Sequence, residues 1–361
     1  MAGAAADATQ QGDGGNNTAV EERPGGREPD ADEDDEVEGL EWMLGFLEDP
    51  EHGPADLLRH RFLSKVGGRP AWLDPCNLPA PLQCGVSSKP MDFLLQVYAP
   101  VDDVDAAFHR TVSLFVTRDG SRAAERGAVR AFRCQLPRSN PFYSSEPPGE
   151  SDLTPPPLPA GTAAPDDRWA VAQAETDIAA GRTCTAGDPE TLLRMLPESE
   201  LVVEPESDYP YEGDPEVEAA RQAYLRQGDP SDADLPDSDV RSVEELEGMA
   251  ERAHYAGFQA RIAGAPSQVL RYCFEAGAAP LLPSPRPPAP KDVPPCPACG
   301  APRRFEFQVM PQLLARLHLD PEDPRGLDFG TVVVYSCAAS CPGPAADGGG
   351  YREEYVWVQP A

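Results

Sequence analysis

Cys296-Pro297-Ala298-Cys299-Gly300 is a turn suited to presenting two sulfurs to one ion. Two residues between the cysteines let both thiolates face one point. The glycine that follows lets the backbone turn so that its amides approach sulfur. Cys337 and Cys341 form a second close pair further along the chain. Together the four supply the closed tetrahedral thiolate set of a structural zinc site, with no position left for water, so catalysis at the ion is not expected. One C-x-x-C alone is shared with redox motifs. Two pairs, neither at the start of a helix after a strand, argue for metal. The expected cofactor is therefore one structural zinc ion on Cys296, Cys299, Cys337 and Cys341.

Little else in the sequence has the spacing of chemistry, and no enzymatic activity is expected. None of His52, His60, His109, His254 and His318 sits in a metal or nucleophile motif. His109, in Phe108-His109-Arg110, is the most suggestive, but a histidine entering a strand is more often a structural hydrogen-bonder than a base. The acid pairs Asp102-Asp103 and Glu353-Glu354 are expected to be solvated. Gln96 and Gln308, on apolar runs, are expected to hydrogen-bond the turn that follows each. Cys76, Cys134, Cys184 and Cys273 are scattered and read as inert thiols.

The zinc pattern has a faded twin. Counting from Cys84, positions three, six, nine, twelve and thirteen further on hold Ser87, Pro90, Phe93, Gln96 and Val97; from Cys296 they hold Cys299, Pro302, Phe305, Gln308 and Val309. Thr331 precedes Cys337 by six and Cys341 by ten, as Thr111 precedes Thr117 and Ser121. The four ligand positions thus correspond to Cys84, Ser87, Thr117 and Ser121. Hydroxyls do not ionise near neutral pH and cannot replace thiolates. The first repeat is expected to fold without metal.

The elements that must position these residues are short. Runs at 91–99, 108–117 and 128–136 are apolar, β-branched and aromatic between turn residues, and read as strands. So do Phe305 to Met310, Thr331 to Tyr335 and Tyr355 to Gln359, with a short helix from Pro311 to His318. Order is expected from Leu40 onward. Gly67-Gly68-Arg69-Pro70 marks a tight turn. Glu200 to Glu206 suggests an isolated strand. Short helices are expected over 169–181 and 188–196. From Val243 apolar residues recur at helical spacing, broken by Pro266 and resumed at Val269-Leu270-Arg271-Tyr272.

Charge divides the chain. The formal net charge is -31, with 43 prolines and 31 glycines in 361 residues. Residues 1–50 hold 15 acids against 2 bases, and residues 150–252 hold 26 against 7. Such a chain mixes folded with unstructured parts, repels nucleic acid and anionic membrane, and attracts basic partners. No run of eighteen apolar residues exists, so no membrane span is expected. Met1-Ala2-Gly3-Ala4 leads into Asp7 without a basic or apolar stretch, so no secretory signal is expected there. Arg303 and Arg304 are the only adjacent bases near a knuckle, and no direct DNA binding is expected.

The sequence resembles the programmed cell death protein 2 family. The resemblance runs through Lys65-Val66-Gly67-Gly68-Arg69-Pro70-Ala71-Trp72, Phe93 to Pro100, Phe108-His109-Arg110, Gln135-Leu136-Pro137-Arg138 and Asn140-Pro141-Phe142-Tyr143. It resumes with Gln268 to Tyr272, Cys296 to Gly300 and Phe305 to Leu314. It covers roughly 40–148 and 240–361. Larger members insert a MYND-type zinc finger where residues 144–190 here are proline-rich with only Cys184, so that finger is absent. The resemblance implies a dedicated chaperone of one basic small-subunit ribosomal protein, number five in universal naming, acting in ribosome biogenesis. The alternative is a nuclear or cytoplasmic zinc-containing adaptor linked to transcription or proliferation control.

These readings give an α+β, mainly β protein with two related lobes. Each lobe is a small antiparallel sheet, and the C-terminal one is closed by the zinc knuckle pair. The expected divisions are a disordered acidic 1–39, an N-terminal lobe 40–148, an acidic proline-rich linker 149–239 and a C-terminal domain 240–361. A cytoplasmic monomer with access to the nucleus is expected. The client would lie in a groove by the lobes or on exposed strand edges, with acidic segments 1–50 and 198–247 on its basic tails.

Overall fold

The computed structural model describes residues 40–361 except 52, 80–81, 118, 150–151, 153, 158–195, 211–242, 318, 320–325 and 346–347. The expected disorder of 1–39 and the helix expected at 169–181 lie outside the described residues, as do all but Leu196 of the helix expected at 188–196 and most of the acidic 206–241.

The runs read as strands form strands. Met43–Glu48 and Lys65–Val66 do so too, and Leu270–Tyr272, read as resuming the helical pattern after Pro266, is instead a strand because it pairs with Met43–Gly45 on one side and Phe307–Val309 on the other. In chain order they are β1 (Met43–Glu48), β2 (Lys65–Val66), β3 (Asp92–Tyr98), β4 (His109–Val116), β5 (Val129–Leu136), β6 (Ser199–Pro205), β7 (Leu270–Tyr272), β8 (Arg303–Val309), β9 (Thr331–Cys337) and β10 (Tyr351–Gln359). The helices are α1 (Val243–Ile262) and the short α2 (Gln312–Arg316).

The strands do not make two sheets. They close into one antiparallel barrel in the order β1-β6-β2-β3-β4-β5-β10-β9-β8-β7, with β7 returning to β1. The reading of two lobes, each with its own small sheet, is therefore corrected: the strands of both form one sheet. The seam is β5 against β10, where Cys134 faces Tyr351 and Ala131 faces Glu354. Every barrel strand has a neighbour on both sides, so the strand edges expected to receive a client are taken up by closure. Residues 199–205, expected as an isolated strand, instead pair with both β1 and β2.

Beneath this single barrel the repeat is intact. In β3–β4, Phe93 faces Phe115, a bulge follows, and Leu95 faces Leu114. In β8–β9, Phe305 faces Tyr335, a bulge follows, and Phe307 faces Val334. The bulge falls at the matched residues Leu94 and Glu306. Gln96 Oε1 accepts from the Ala71 amide at 2.8 Å, and Gln308 Oε1 from the Leu281 amide at 2.6 Å. Both partners lie in loops before the strand rather than after it, which corrects the sequence reading. β1 and β6 are exchanged between the halves: β1 lies on β7 and β6 on β2.

One apolar cluster draws residues from nine strands, among them Val66, Val112, Leu114, Leu201, Leu270, Phe307 and Val334, and so marks the barrel interior. Outside, Trp72 and Leu73 cover Phe93, Phe115 and Phe132. Loop residues around Cys273 and Val293 cover Phe305, Val333 and Tyr335. Coverage on both faces explains why β4 and β9 are buried along their whole length. Each large apolar side chain so buried contributes about 1.5–3 kcal/mol.

Candidate metal centre

The β8–β9 pair brings the two knuckles together. Arg303, the first residue of β8, faces Cys337, the last of β9. Just before β8 the chain closes on itself: the Cys296 amide donates to the Ala301 carbonyl at 2.8 Å, and the Gly300 amide to the Cys296 carbonyl at 2.9 Å. Gly300 has φ 75°, left-handed backbone that glycine adopts without strain. Just after β9, the Ser340 amide donates to the Cys337 carbonyl at 3.0 Å.

The four sulfurs all lie within 4.8 Å of one another. Cys296 and Cys341 Sγ are 3.7 Å apart, and Cys299 and Cys337 Sγ are 3.5 Å apart. Tetrahedral zinc with bonds of about 2.3 Å needs sulfurs about 3.8 Å apart, so the set fits such an ion. Cys296 and Cys337 are buried, Cys341 half-buried and Cys299 exposed. Burial pushes the Cys341 thiol up to about 12 and also raises Cys337. Burial raises Cys296 too, but the amides of Ala298 and Cys299 outweigh it and bring that thiol down to about 7. Thiols this close cannot all ionise without a cation.

The first repeat keeps the knuckle and loses the ligands. The Cys84 amide donates to the Lys89 carbonyl and the Ser88 amide to the Cys84 carbonyl, both at 2.8 Å, matching the bonds around Cys296. Ser88 takes the left-handed position at φ 55°. The amides of Val86 and Ser87 donate to Cys84 Sγ at 3.4 Å. Burial raises the Cys84 thiol, but hydrogen bonds from Ser87 and Thr117 prevail and leave it lowered. Ser121 turns away and donates to Asp119 Oδ1 at 2.7 Å.

His109 is walled in. Its ring stacks on Phe62 at 4.1 Å between centroids, and its Nδ1 is 3.1 Å from the Tyr98 hydroxyl. Burial lowers its pKa to about 4. The unfolded chain then binds a proton that the folded one refuses, so stability should fall as pH drops from about 6.5 to about 4, by up to about 3 kcal/mol. Urea unfolding across that range should show a shallower decline for His109→Asn than for the unaltered chain; parallel declines would exclude His109 as the cause.

Glu353 is exposed and pairs with Arg130 at 2.7 Å. Glu354, expected to be solvated, is instead buried between Arg133 and Arg303. Arg133 and Gln135 reach the second knuckle from β5, which nothing in their spacing signals.

A family model described as the N-terminal domain of programmed cell death protein 2 matches residues 41–150, and one for its C-terminal putative domain matches 252–360. Programmed cell death protein 2 of Mus musculus is 37% identical over 349 residues, 88% of this chain and 95% of that protein. The chain belongs to the programmed cell death protein 2 family. The two family domains take in the Cys84 knuckle and the four-cysteine cluster respectively. Programmed cell death protein 2-like of Mus musculus is 28% identical over 317 residues, 77% of this chain and 85% of that protein. A protein of Schizosaccharomyces pombe named probable 20S rRNA accumulation protein 4 is 33% identical over 114 residues, 28% of this chain and 27% of that protein. No solved structure matches the chain.

Proposed function

We propose that this protein is a non-enzymatic escort of one basic small-subunit ribosomal protein, number five in universal naming, during ribosome biogenesis. Charge carries the reading. Beyond the net -31, Glu48 lies directly opposite Glu200 across the β1–β6 pair. Burial first, then Asp56 and Glu48, hold the Glu200 carboxyl above its ordinary range. Like charges opposite one another destabilise a strand pair, and a basic partner would relieve them. The name of the Schizosaccharomyces pombe relative supports a client from ribosome assembly. Arg303 is occupied by Glu354, and Arg304 lies 3.8 Å over the Phe274 ring, which supports a role without direct DNA contact.

In this reading the four cysteines hold one structural zinc, which supplies folding energy and no chemistry. The protein acts as a monomer in the cytoplasm, with access to the nucleus. No helix among the described residues is long and apolar enough to cross a membrane.

Affinity capture of the tagged protein at moderate salt, with partners identified by mass, tests the reading. It should recover that ribosomal protein near one-to-one without the rest of the subunit. With purified client, Glu48→Gln/Glu200→Gln should weaken binding and flatten its salt dependence. Recovery of chromatin or signalling proteins, with no ribosomal protein in excess, would favour the adaptor instead.

A further inference from the structure

The four cysteines all come from the second half of the chain, but two of the side chains that hold their knuckles, Arg133 and Gln135, do not. Arg133 lies on β5, in the first half. Its Nε donates to Glu354 Oε1 at 2.8 Å. One terminal nitrogen donates to the Cys341 carbonyl at 2.9 Å, and the other reaches Cys341 Sγ at 3.7 Å. Gln135, two residues on, accepts from Arg133 and donates to the Ser340 carbonyl at 2.7 Å. The second knuckle is therefore gripped from across the barrel seam.

Glu354 also reaches the first knuckle. Its Oε2 accepts from Arg303 Nε at 2.8 Å. A terminal nitrogen of Arg303 donates to the carbonyls of Pro294 and Pro295, at 3.1 and 3.2 Å, immediately before Cys296. One buried carboxylate thus joins two guanidinium groups, and each guanidinium holds one knuckle. The Arg133 and Glu354 side chains are 0% and 1% exposed. Charges so buried are retained only where their hydrogen bonds are satisfied, and the planar guanidinium fork does this where a lysine cannot.

Four thiolates around a divalent cation carry surplus negative charge. A guanidinium that donates to one sulfur offsets part of it and fixes that ligand's direction. We propose that Arg133, working through Glu354 and beside Gln135, is a positioning residue of the metal centre, and that metal bound in the second half tightens the β5–β10 seam. The inference rests on the metal reading of the four cysteines. Linkage makes the effect reciprocal: whatever Arg133 adds to metal affinity, metal adds to the docking of β5.

The test uses the full chain, stripped and reloaded with zinc. Affinity is read by competition with a chromophoric chelator, and the seam by hydrogen exchange of residues 129–136. Arg133→Gln should weaken zinc binding by about 10–100-fold, the usual cost of losing an outer-shell partner. Arg133→Lys should recover only part of that. Arg130→Gln removes an ion pair across the same two strands but touches neither knuckle, and should leave zinc affinity unchanged. Zinc should slow exchange in 129–136 in the unaltered chain and much less in Arg133→Gln. If Arg133→Gln does not fold, Glu354→Gln, nearly the same shape, takes its place in each comparison. Unaltered affinity in the variant, equal loss in Arg130→Gln, or β5 exchange indifferent to zinc would each overturn the inference. Failure of the unaltered chain to take up zinc would overturn the metal reading itself, and would be seen before any variant is made.

Discussion

Cys337→Ser is expected to unfold the whole barrel, not its second half alone. Cys337 ends β9 and is fully buried. β9 pairs with β10, and β10 closes on β5, so the strands beside the cysteines are part of one continuous ladder. A structural zinc contributes about 10–16 kcal/mol to folding in small finger peptides, against a net stability of about 5–15 kcal/mol for an ordinary domain. Loss of one ligand should remove much of that margin. Calorimetry and circular dichroism should show one transition at a sharply lower melting temperature, and chelation of the unaltered protein should reproduce it. Cys84→Ser should change stability by no more than about 1 kcal/mol, since a hydroxyl can accept from the amides that now point at the Cys84 sulfur. Equal melting temperatures for the two variants would remove the distinction between the repeats. The two-lobed reading of the sequence would have confined the damage to one lobe; the closed barrel spreads it.

Glu306→Ala should be nearly as damaging. Glu306 occupies the β8 bulge inside the barrel and is fully buried. Arg110 holds it in a two-pronged grip, with one bond at 2.9 Å, and also donates to the Ala99 carbonyl at 3.1 Å and Ser336 Oγ at 3.2 Å. The two side chains reach each other across the interior from strands in opposite halves. Removing one partner strands a guanidinium away from water, at a cost of about 3–5 kcal/mol. The matched position in the first repeat is Leu94, which shows what an apolar bulge looks like. Glu306→Leu/Arg110→Met should therefore recover most of the loss, because it removes both charges together. Urea midpoints for the single and double variants check this; a double variant no better than Glu306→Ala would mean that the pair itself is needed for the fold.

Both predictions turn on features of different legibility. The four-cysteine cluster was readable because a knuckle is local: C-x-x-C-G fixes the turn, the amides and the sulfur directions within a few residues. The repeat was readable for the same reason, since its matched strands share one register and even one bulge. Met43–Glu48, Lys65–Val66 and Leu270–Tyr272 were not read as strands, but most strand positions followed from short apolar runs between turn residues. The ordering of those strands did not, because alternation says which face is buried but not which neighbour lies beside it. Ser199–Pro205 sits in an acidic stretch that reads as linker, yet it completes the barrel between β1 and β2. Glu354 reads as a solvated acid, because Arg133, one of the two arginines that bury it, is more than two hundred residues away in sequence. The residues by themselves determined the two knuckle turns and the doubled pattern, which are set by near neighbours. Only the tertiary structure decided that the two copies close into one barrel and that the first copy helps hold the cysteines of the second, because those contacts depend on long-range pairing that no local spacing encodes.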